Sequence, residues 1–213
     1  MFITLEGIEG AGKSSVQKEL ASRLGNLNRE VVVTREPGAT AIGAKIRSIL
    51  LDPQNTQIVP LAELLLFAAD RAQHVAEVIK PALERKAIVI CDRFIHSTLV
   101  YQGYGRSMNI NLLNTLNSLA TNGLKPDLVL LLDLDPEMGL RRAKSRQAME
   151  KQSNAQSSSW SRFEEEKLPF HLRLRHGFLE LAKDQNNNFA IIDASRPLVE
   201  VIEQAYGKIS ENL

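Results

Sequence analysis

The chain has 213 residues, of which 44% are hydrophobic, with 26 Lys and Arg against 25 Asp and Glu. This length and apolar fraction suit one globular domain, so we expect a single domain over residues 1–213. The formal net charge of +1 argues against a protein that coats nucleic acid or a membrane surface. The single Cys91 excludes an internal disulfide, and no targeting or membrane-spanning segment is evident, so we expect a cytoplasmic protein.

Five short apolar runs predict strands that are buried on both faces. They cover residues 2–5, 31–33, 87–91, 128–132 and 189–192. The segments between them show helical spacing, as at Val16, Leu20 and Leu24 after the first run and at Leu61, Leu64 and Leu65 before the third. Alternating strands and helices predict an α/β fold of three layers, α/β/α, with a five-stranded parallel sheet.

The strongest motif follows the first apolar run. Residues 7–14 fit the phosphate-binding pattern G-x-x-x-x-G-K-[ST], with a predicted strand before them and a predicted helix after them. The glycines let backbone N–H groups surround an oxyanion. Lys13 is expected to reach the β- and γ-phosphates, and the Ser14 hydroxyl to bind Mg²⁺. A glycine turn that matches by coincidence is the alternative, but the context favours nucleoside triphosphate binding.

Two charged residues follow the third apolar run directly. Asp92 and Arg93 are therefore expected at the carboxyl edge of the sheet, where ligands of such folds bind. An Asp there suits water-mediated contact with Mg²⁺, and an Arg suits bridging two phosphates during transfer. A purely structural alternative has Asp92 capping the next helix with Arg93 paired to it.

Other features favour transfer to a second substrate. The chain has neither the N-K-x-D nor the D-x-x-G motif of GTPases, and it is short for an ATPase core with a separate working domain. Phe67 and Arg71 lie four apart on a predicted helix and share a face. The pair suits stacking on a base and a hydrogen bond to a base carbonyl, although an aromatic at this spacing is more often a core residue.

Five segments in order resemble bacterial thymidylate kinases, and together they cover nearly the whole chain. They are the phosphate-binding loop at 7–14, TREPG at 34–38, DRF at 92–94, YQGYGR at 101–106 and DLDPE at 133–137. The resemblance implies ATP-dependent phosphorylation of dTMP to dTDP, in dTTP biosynthesis, on an adenylate-kinase-like fold with a mobile lid. It further implies a homodimer with ATP and dTMP as substrates, Mg²⁺ as cofactor, and no nucleic-acid or membrane partner.

The resemblance also implies roles for individual residues on the dTMP side. Phe67 corresponds to the ring that stacks on thymine, Arg71 to the donor to its O4 atom, and Tyr101 to the aromatic that favours deoxyribose. Glu9 corresponds to the acidic residue near the 3′-hydroxyl. The full dTMP set is Glu9, Arg35, Pro37, Arg47, Phe67, Arg71, Arg93, Ser97, Thr98, Tyr101 and Gln102.

On the ATP side the resemblance implies the phosphate-binding loop and one residue of the lid. Arg142 corresponds to a residue that packs on the adenine. The implied ATP set is Gly7, Ile8, Glu9, Gly10, Ala11, Gly12, Lys13, Ser14, Ser15 and Arg142.

The lid is predicted at about residues 141–162. Residues 147–160 are polar and read either as a flexible linker or as a closing flap. Their flanks favour the flap, because residues 141–175 contain nine Lys and Arg but four Asp and Glu. The loop positions between Gly7 and Gly12 are not cationic, so a lid cation is expected to stabilise the transferred phosphoryl group. The lid candidates are Arg142, Arg146, Lys151 and Arg162.

The expected chemistry is in-line transfer without a covalent enzyme intermediate. The predicted catalytic residues are Lys13, Asp92, Arg93, Arg146 and Arg162, with Mg²⁺ held by Ser14 and, through water, by Asp92. Two alternatives stay open. In the first, the acceptor is another nucleoside monophosphate or a deoxynucleoside. In the second, the protein binds nucleotide to regulate a partner and transfers no phosphate.

Overall fold

The computed structural model describes residues 1–26, 29–152, 162–184, 186 and 188–213. Its centre is a five-stranded parallel sheet in the order β2-β3-β1-β4-β5. The strands are β1 (Phe2–Glu6), β2 (Val31–Arg35), β3 (Ile88–Asp92), β4 (Leu128–Asp133) and β5 (Phe189–Asp193). All five predicted strands are confirmed, because each apolar run forms one of them. The prediction of burial on both faces is wrong for the edge strands β2 and β5, in which Val33 and Ile191 are about half exposed.

Helices connect the strands and pack on the sheet. They are α1 (Lys13–Gly25), α2 (Ala41–Leu51), α3 (Pro60–His74), α4 (Lys80–Glu84), α5 (Ile95–Thr98), α6 (Ile110–Thr121), α7 (Pro136–Gln152), α8 (Leu168–Leu181) and α9 (Leu198–Ser210). A π-helical segment, Val75–Ile79, joins α3 to α4, and a second, Leu99–Gly105, continues α5. Among the described residues, no helix has the length and apolar character needed to cross a membrane.

The core surrounds the sheet and follows the sequence pattern. The predicted helical positions Val16, Leu20 and Leu24 are fully buried in a core cluster that also contains residues of β1, β3 and β4. Helix α3, by contrast, is buried on only part of its apolar side. Leu64 is buried, but Leu61 and Leu65 are about half exposed, so α3 presents apolar side chains outward.

The strand order brings the charged strand ends to one place. Strands β3 and β4 flank β1, and in register Leu5 of β1 lies opposite Asp92 and Leu130. The loop after β1 therefore opens between its two neighbours at the carboxyl edge, which is where open parallel sheets bind ligands. Glu6, Arg35, Asp92 and Asp133 end four of the strands at this edge.

Candidate active site

The phosphate-binding loop curls tightly at the end of β1. Gly7, Gly10 and Gly12 have φ values of +139°, +75° and +90°, which favour glycine. At Gly10 a side chain would also collide with the backbone of Gly139. Helix α1 begins directly after the loop, and the Lys13 Nζ donates to the carbonyl oxygens of Gly7 (3.0 Å) and of the next residue (2.9 Å). The ammonium group is thus held inside the loop, at the helix N-terminus.

The surroundings of Lys13 lower the pKa of its ammonium group. Burial and, to a smaller extent, the nearby Arg93 lower the pKa of Lys13 to about 8, although Asp92, Glu9 and Glu6 partly oppose the shift. A triphosphate at this position would restore the charged form, because an opposite charge favours the ammonium. The site is therefore suited to an anionic ligand.

Ser14 and Asp92 provide oxygen ligands for a divalent cation. The Ser14 hydroxyl donates to Asp92 Oδ2 at 3.2 Å, while the buried Asp92 Oδ1 has no hydrogen-bond partner among the described residues. Within the described residues no three Asp, Glu, His or Cys side chains gather into a metal cage. One hydroxyl and one carboxylate nevertheless fit Mg²⁺, which keeps several waters and shares its coordination with substrate phosphates.

Arg93 lies between the phosphate-binding loop and the residues predicted to bind dTMP. Its backbone is left-handed, with a φ of +70°, which is uncommon for a residue other than glycine. Nη1 donates to the Gly7 carbonyl and Nη2 to Glu9 Oε1, both at 3.1 Å. The guanidinium also lies 4.9 Å from the centre of the Tyr101 ring. These contacts hold a cation beside the phosphate-binding loop.

Glu9 is a carboxylate in a cationic setting. The Tyr101 hydroxyl donates to Oε1, and His171 Nδ1 lies 3.6 Å from Oε2. Burial raises the pKa of Glu9, but His171, Arg93, Lys13 and Tyr101 together outweigh burial and hold it well below its usual range. His171 comes from α8, and no sequence pattern singled it out. An ionised Glu9 can accept a hydrogen bond from a sugar hydroxyl.

Most of the predicted residues line one cleft of about 490 Å³. The residues from the predicted sets that line it are Glu9, Gly10, Gly12, Lys13, Ser14, Ser15, Arg35, Pro37, Arg47, Phe67, Arg71, Asp92, Arg93, Ser97, Thr98, Tyr101, Gln102 and Arg146. Gly7, Ile8 and Ala11 also belong to the phosphate-binding loop, but they are buried and do not line the cleft. The cleft therefore contains the phosphate-binding loop together with every residue predicted for dTMP.

Three of the predicted side chains have partners other than those expected. The Gln102 amide donates to Glu63 Oε1 at 2.7 Å, and Arg142 donates to the Ala194 carbonyl at 3.0 Å, beyond the end of β5. Arg162 forms an ion pair with the buried Glu63 at 2.5 Å and does not line the cleft. The structure therefore separates Arg162 from the phosphate-binding loop.

The lid is described in part. Arg146 lies on α7, lines the cleft, and is 3.6 Å from Glu164. Residues 153–161, which contain most of the predicted loop 147–160, lie outside the described residues, and so does the side chain of Lys151. Of the lid cations with described side chains, Arg146 is the one that reaches the cleft.

Sequence reasoning missed an aromatic ring that lines the cleft. Phe163 is buried, and its ring centre lies 6.3 Å from that of Phe67 and 5.5 Å from that of Tyr101. An apolar residue between charged neighbours after the lid was the available signal. Phe163 therefore adds a third aromatic surface near the predicted base-binding ring.

The buried carboxyl group of Glu6 accepts hydrogen bonds from the segment that follows Arg93. Glu6 Oε1 accepts from the Phe94 N–H at 2.9 Å, and Oε2 accepts from the Ser97 hydroxyl at 2.6 Å. Burial raises the pKa of Glu6 to about 7, although Ser97, Arg93, the Phe94 N–H and Lys13 oppose the rise. Glu6 thus titrates near neutral pH in the folded chain.

Between pH 4.5 and about 7 the folded chain keeps the Glu6 proton that the unfolded chain releases, so the free energy of unfolding falls as pH rises through this window. Each unit of pKa shift corresponds to about 1.4 kcal/mol. Glu6→Gln removes this titration, so its Tm is expected to fall less between pH 5 and pH 7 than that of the wild type. Calorimetric melting curves check this, and parallel Tm profiles would contradict it.

Comparison with known proteins identifies the family of this chain. A family model described as thymidylate kinase matches residues 5–205. The chain belongs to the thymidylate kinase family. Thymidylate kinases of Desulfosudis oleivorans and Geobacter sulfurreducens are 51% and 52% identical to it, over 94% and 91% of this chain and 92% and 89% of those proteins. A crystal structure of thymidylate kinase from Ehrlichia chaffeensis has a TM-score of 0.74 at 33% identity and covers 100% of this chain and 97% of that one.

As a member of the thymidylate kinase family, the chain is an enzyme, a nucleoside monophosphate kinase. The resemblance to thymidylate kinases, the α/β fold and the kinase class, all inferred from the sequence, are confirmed. The family also accounts for the two halves of the cleft, since a kinase of this kind binds a phosphate donor and an acceptor side by side.

Proposed function

We propose that this chain transfers the γ-phosphate of ATP to dTMP, giving dTDP and ADP. The observation that carries the proposal is the shared cleft, in which the phosphate-binding loop and the aromatic and cationic residues predicted for dTMP face one another. An acceptor phosphate at Arg93 lies next to the loop that holds the donor. Proximity of this kind favours direct in-line transfer.

The acceptor half of the cleft suits a deoxynucleoside monophosphate. Phe67 offers a face for the base, and Arg71 offers a guanidinium N–H for a base carbonyl. Tyr101 is fixed by its hydroxyl bond to Glu9, so its ring lies beside the position proposed for the sugar. Arg47, held by the Pro37 carbonyl at 2.8 Å, supplies positive charge for the monophosphate together with Arg93 and with the exposed Arg35.

The donor half of the cleft suits ATP with Mg²⁺. The loop N–H groups and Lys13 would hold the β- and γ-phosphates, while Ser14 and Asp92 would hold the metal, Asp92 through water. Bound Mg²⁺ supplies neutralisation of charge on the phosphates. Arg142, at the edge beyond β5, is proposed to pack on the adenine.

Arg146 is proposed as the lid cation that stabilises the phosphoryl group during transfer. It lines the same cleft as Lys13 and Arg93, whereas Arg162 is paired with Glu63 and does not line the cleft. A cation that acts on the γ-phosphate has to reach this cleft. The observed placement therefore favours Arg146 over Arg162.

We further propose that residues 1–213 form one cytoplasmic kinase domain, with a lid at about 141–162, that works as a homodimer. Support for pairing comes from apolar side chains that helices α2 and α3 leave about half exposed, namely Ile42, Ile49, Leu61 and Leu65. A second copy that covers these side chains would remove apolar surface from water. Sedimentation velocity distinguishes this homodimer from a monomer.

The function is tested by measuring ADP release with ATP, Mg²⁺ and a panel of acceptors: dTMP, dUMP, dCMP, dGMP and thymidine. We expect dTMP to give the highest kcat/KM, because the cleft offers both a cationic phosphate site and a donor for a base carbonyl. Faster turnover of another acceptor would assign the chain to that substrate. ADP release that no acceptor stimulates would instead point to a regulatory nucleotide-binding protein.

A further inference from the structure

The Arg71 guanidinium is held by a buried network that joins Glu36 of the TREPG segment to Asn117, which lies outside the recognised motifs. Arg71 is 2% exposed, although it lines the cleft. Nε donates to Glu36 Oε2 at 2.8 Å. The other hydrogen bonds of the guanidinium run from Nη1 to Thr98 Oγ1 (2.9 Å) and Asn117 Oδ1 (2.6 Å) and from Nη2 to the Phe94 carbonyl (3.1 Å). The orientation of the guanidinium plane is thus fixed from several sides.

These hydrogen bonds limit what Arg71 can offer to a ligand. A guanidinium carries five N–H groups in a rigid plane. Four of the five are occupied by partners within the described residues, which leaves one N–H on Nη2. A single fixed donor can pair with a carbonyl oxygen, but it cannot pair with an amino group, which is itself a donor.

The residues that hold Arg71 are themselves fixed. Glu36 Oε1 lies 2.9 Å from Nδ1 of the fully buried His74. Because a carboxylate only accepts, His74 Nδ1 donates to Glu36, and on the other side of the ring Nε2 forms a hydrogen bond with the Thr34 hydroxyl at 2.6 Å. On the other side, Asn117 Nδ2 donates to the Ile95 carbonyl at 3.2 Å, which connects α6 to the start of α5.

We propose that Asn117 and Glu36 are positioning residues that orient Arg71 so that it presents one N–H to the pyrimidine base. The network thereby selects a base with a carbonyl rather than an amino group at the position that Arg71 contacts. The proposal rests on the function proposed above, in which Arg71 contacts the base of the acceptor.

Asn117 is the better of the two residues to test. Removing Glu36 would leave the buried Arg71 charge without its partner, and such a change strongly destabilises a fold. Asn117→Leu keeps a similar volume and removes the acceptor for one Nη1 N–H. Asn117→Asp keeps that acceptor and is the matched conservative variant.

For Asn117→Leu we expect the KM for dTMP to rise roughly tenfold, as for the loss of one hydrogen bond to a charged group. The KM for ATP and kcat are expected to stay close to wild type. In calorimetric binding, the preference for dTMP over dCMP is expected to fall by a similar factor. The preference for dTMP over dUMP is expected to stay constant, because both bases carry the same carbonyl. Asn117→Asp is expected to retain most of the preference over dCMP.

The same binding measurements in an Arg71→Lys background separate positioning from general stability. A lysine lacks the planar fork, so adding Asn117→Leu is expected to change the dCMP preference less than about twofold there. An equal change in both backgrounds, or a lower Tm with an unchanged preference, would overturn the positioning role. If Arg71→Lys alone leaves dTMP binding and the preference unchanged, the proposed base contact of Arg71 fails instead.

Discussion

Lys13→Ala is expected to lower kcat for dTMP phosphorylation by about 10³-fold, the upper range for removing one preorganised stabilising group. Lys13 Nζ lies inside the phosphate-binding loop, where it donates to two backbone carbonyl groups. A bound triphosphate would replace these acceptors with phosphate oxygens, whose negative charge the ammonium neutralises. Stopped-flow or steady-state measurement of ADP release with saturating ATP and dTMP checks the loss.

The fold is expected to survive this substitution. Burial lowers the pKa of Lys13 to about 8, which means that the folded chain disfavours the ammonium relative to the unfolded chain. Removing the charge therefore does not remove a net stabilising interaction, and Tm is expected to stay near that of the wild type. Lys18→Ala, on the exposed face of the same helix α1, is the matched control and is expected to keep full turnover. Wild-type turnover in Lys13→Ala would contradict the assignment of the loop.

The strands and the phosphate-binding loop could be predicted because their signals are local. Each strand is one continuous apolar run, and the central strands β1, β3 and β4 need no alternation because they are covered on both faces. The loop is a contiguous motif with its strand and helix in place. The exposed side chains Leu61 and Leu65 show where such reasoning ends, because helical spacing identifies an apolar side but not what covers it.

The Arg71 network could not be predicted because its members are far apart in the chain and have no shared spacing. Glu36, Thr98 and Asn117 reach Arg71 over sequence separations of 35, 27 and 46 residues. The sequence does mark Arg71 as a candidate for base contact, but the number of its N–H groups that remain for a ligand depends on these tertiary contacts. The same holds for His171, which reaches Glu9 from α8.

The two lid cations are expected to respond to alanine substitution in opposite ways. Arg146→Ala is expected to lower kcat by about 10²–10³-fold and to lower Tm less than Arg162→Ala does. Its side chain is 47% exposed and lies 3.6 Å from Glu164, a longer ion pair than the 2.5 Å pair of Arg162 with Glu63. Its place in the cleft, by contrast, lets it meet charge that develops during transfer.

Arg162→Ala is expected to lower Tm while kcat stays within a few-fold of wild type. Arg162 donates to Glu63, which is 1% exposed, and to the Leu50 carbonyl, both at 2.5 Å. Truncation leaves Glu63 with the neutral Gln102 amide, at 2.7 Å, and a longer contact to Arg106, at 3.7 Å, so the buried carboxylate loses its closest cation. Arg141→Ala, on the exposed surface of α7, is the control for both variants. Loss of turnover in Arg162→Ala with normal turnover in Arg146→Ala would move the catalytic role to Arg162, which would then have to leave Glu63 during each cycle.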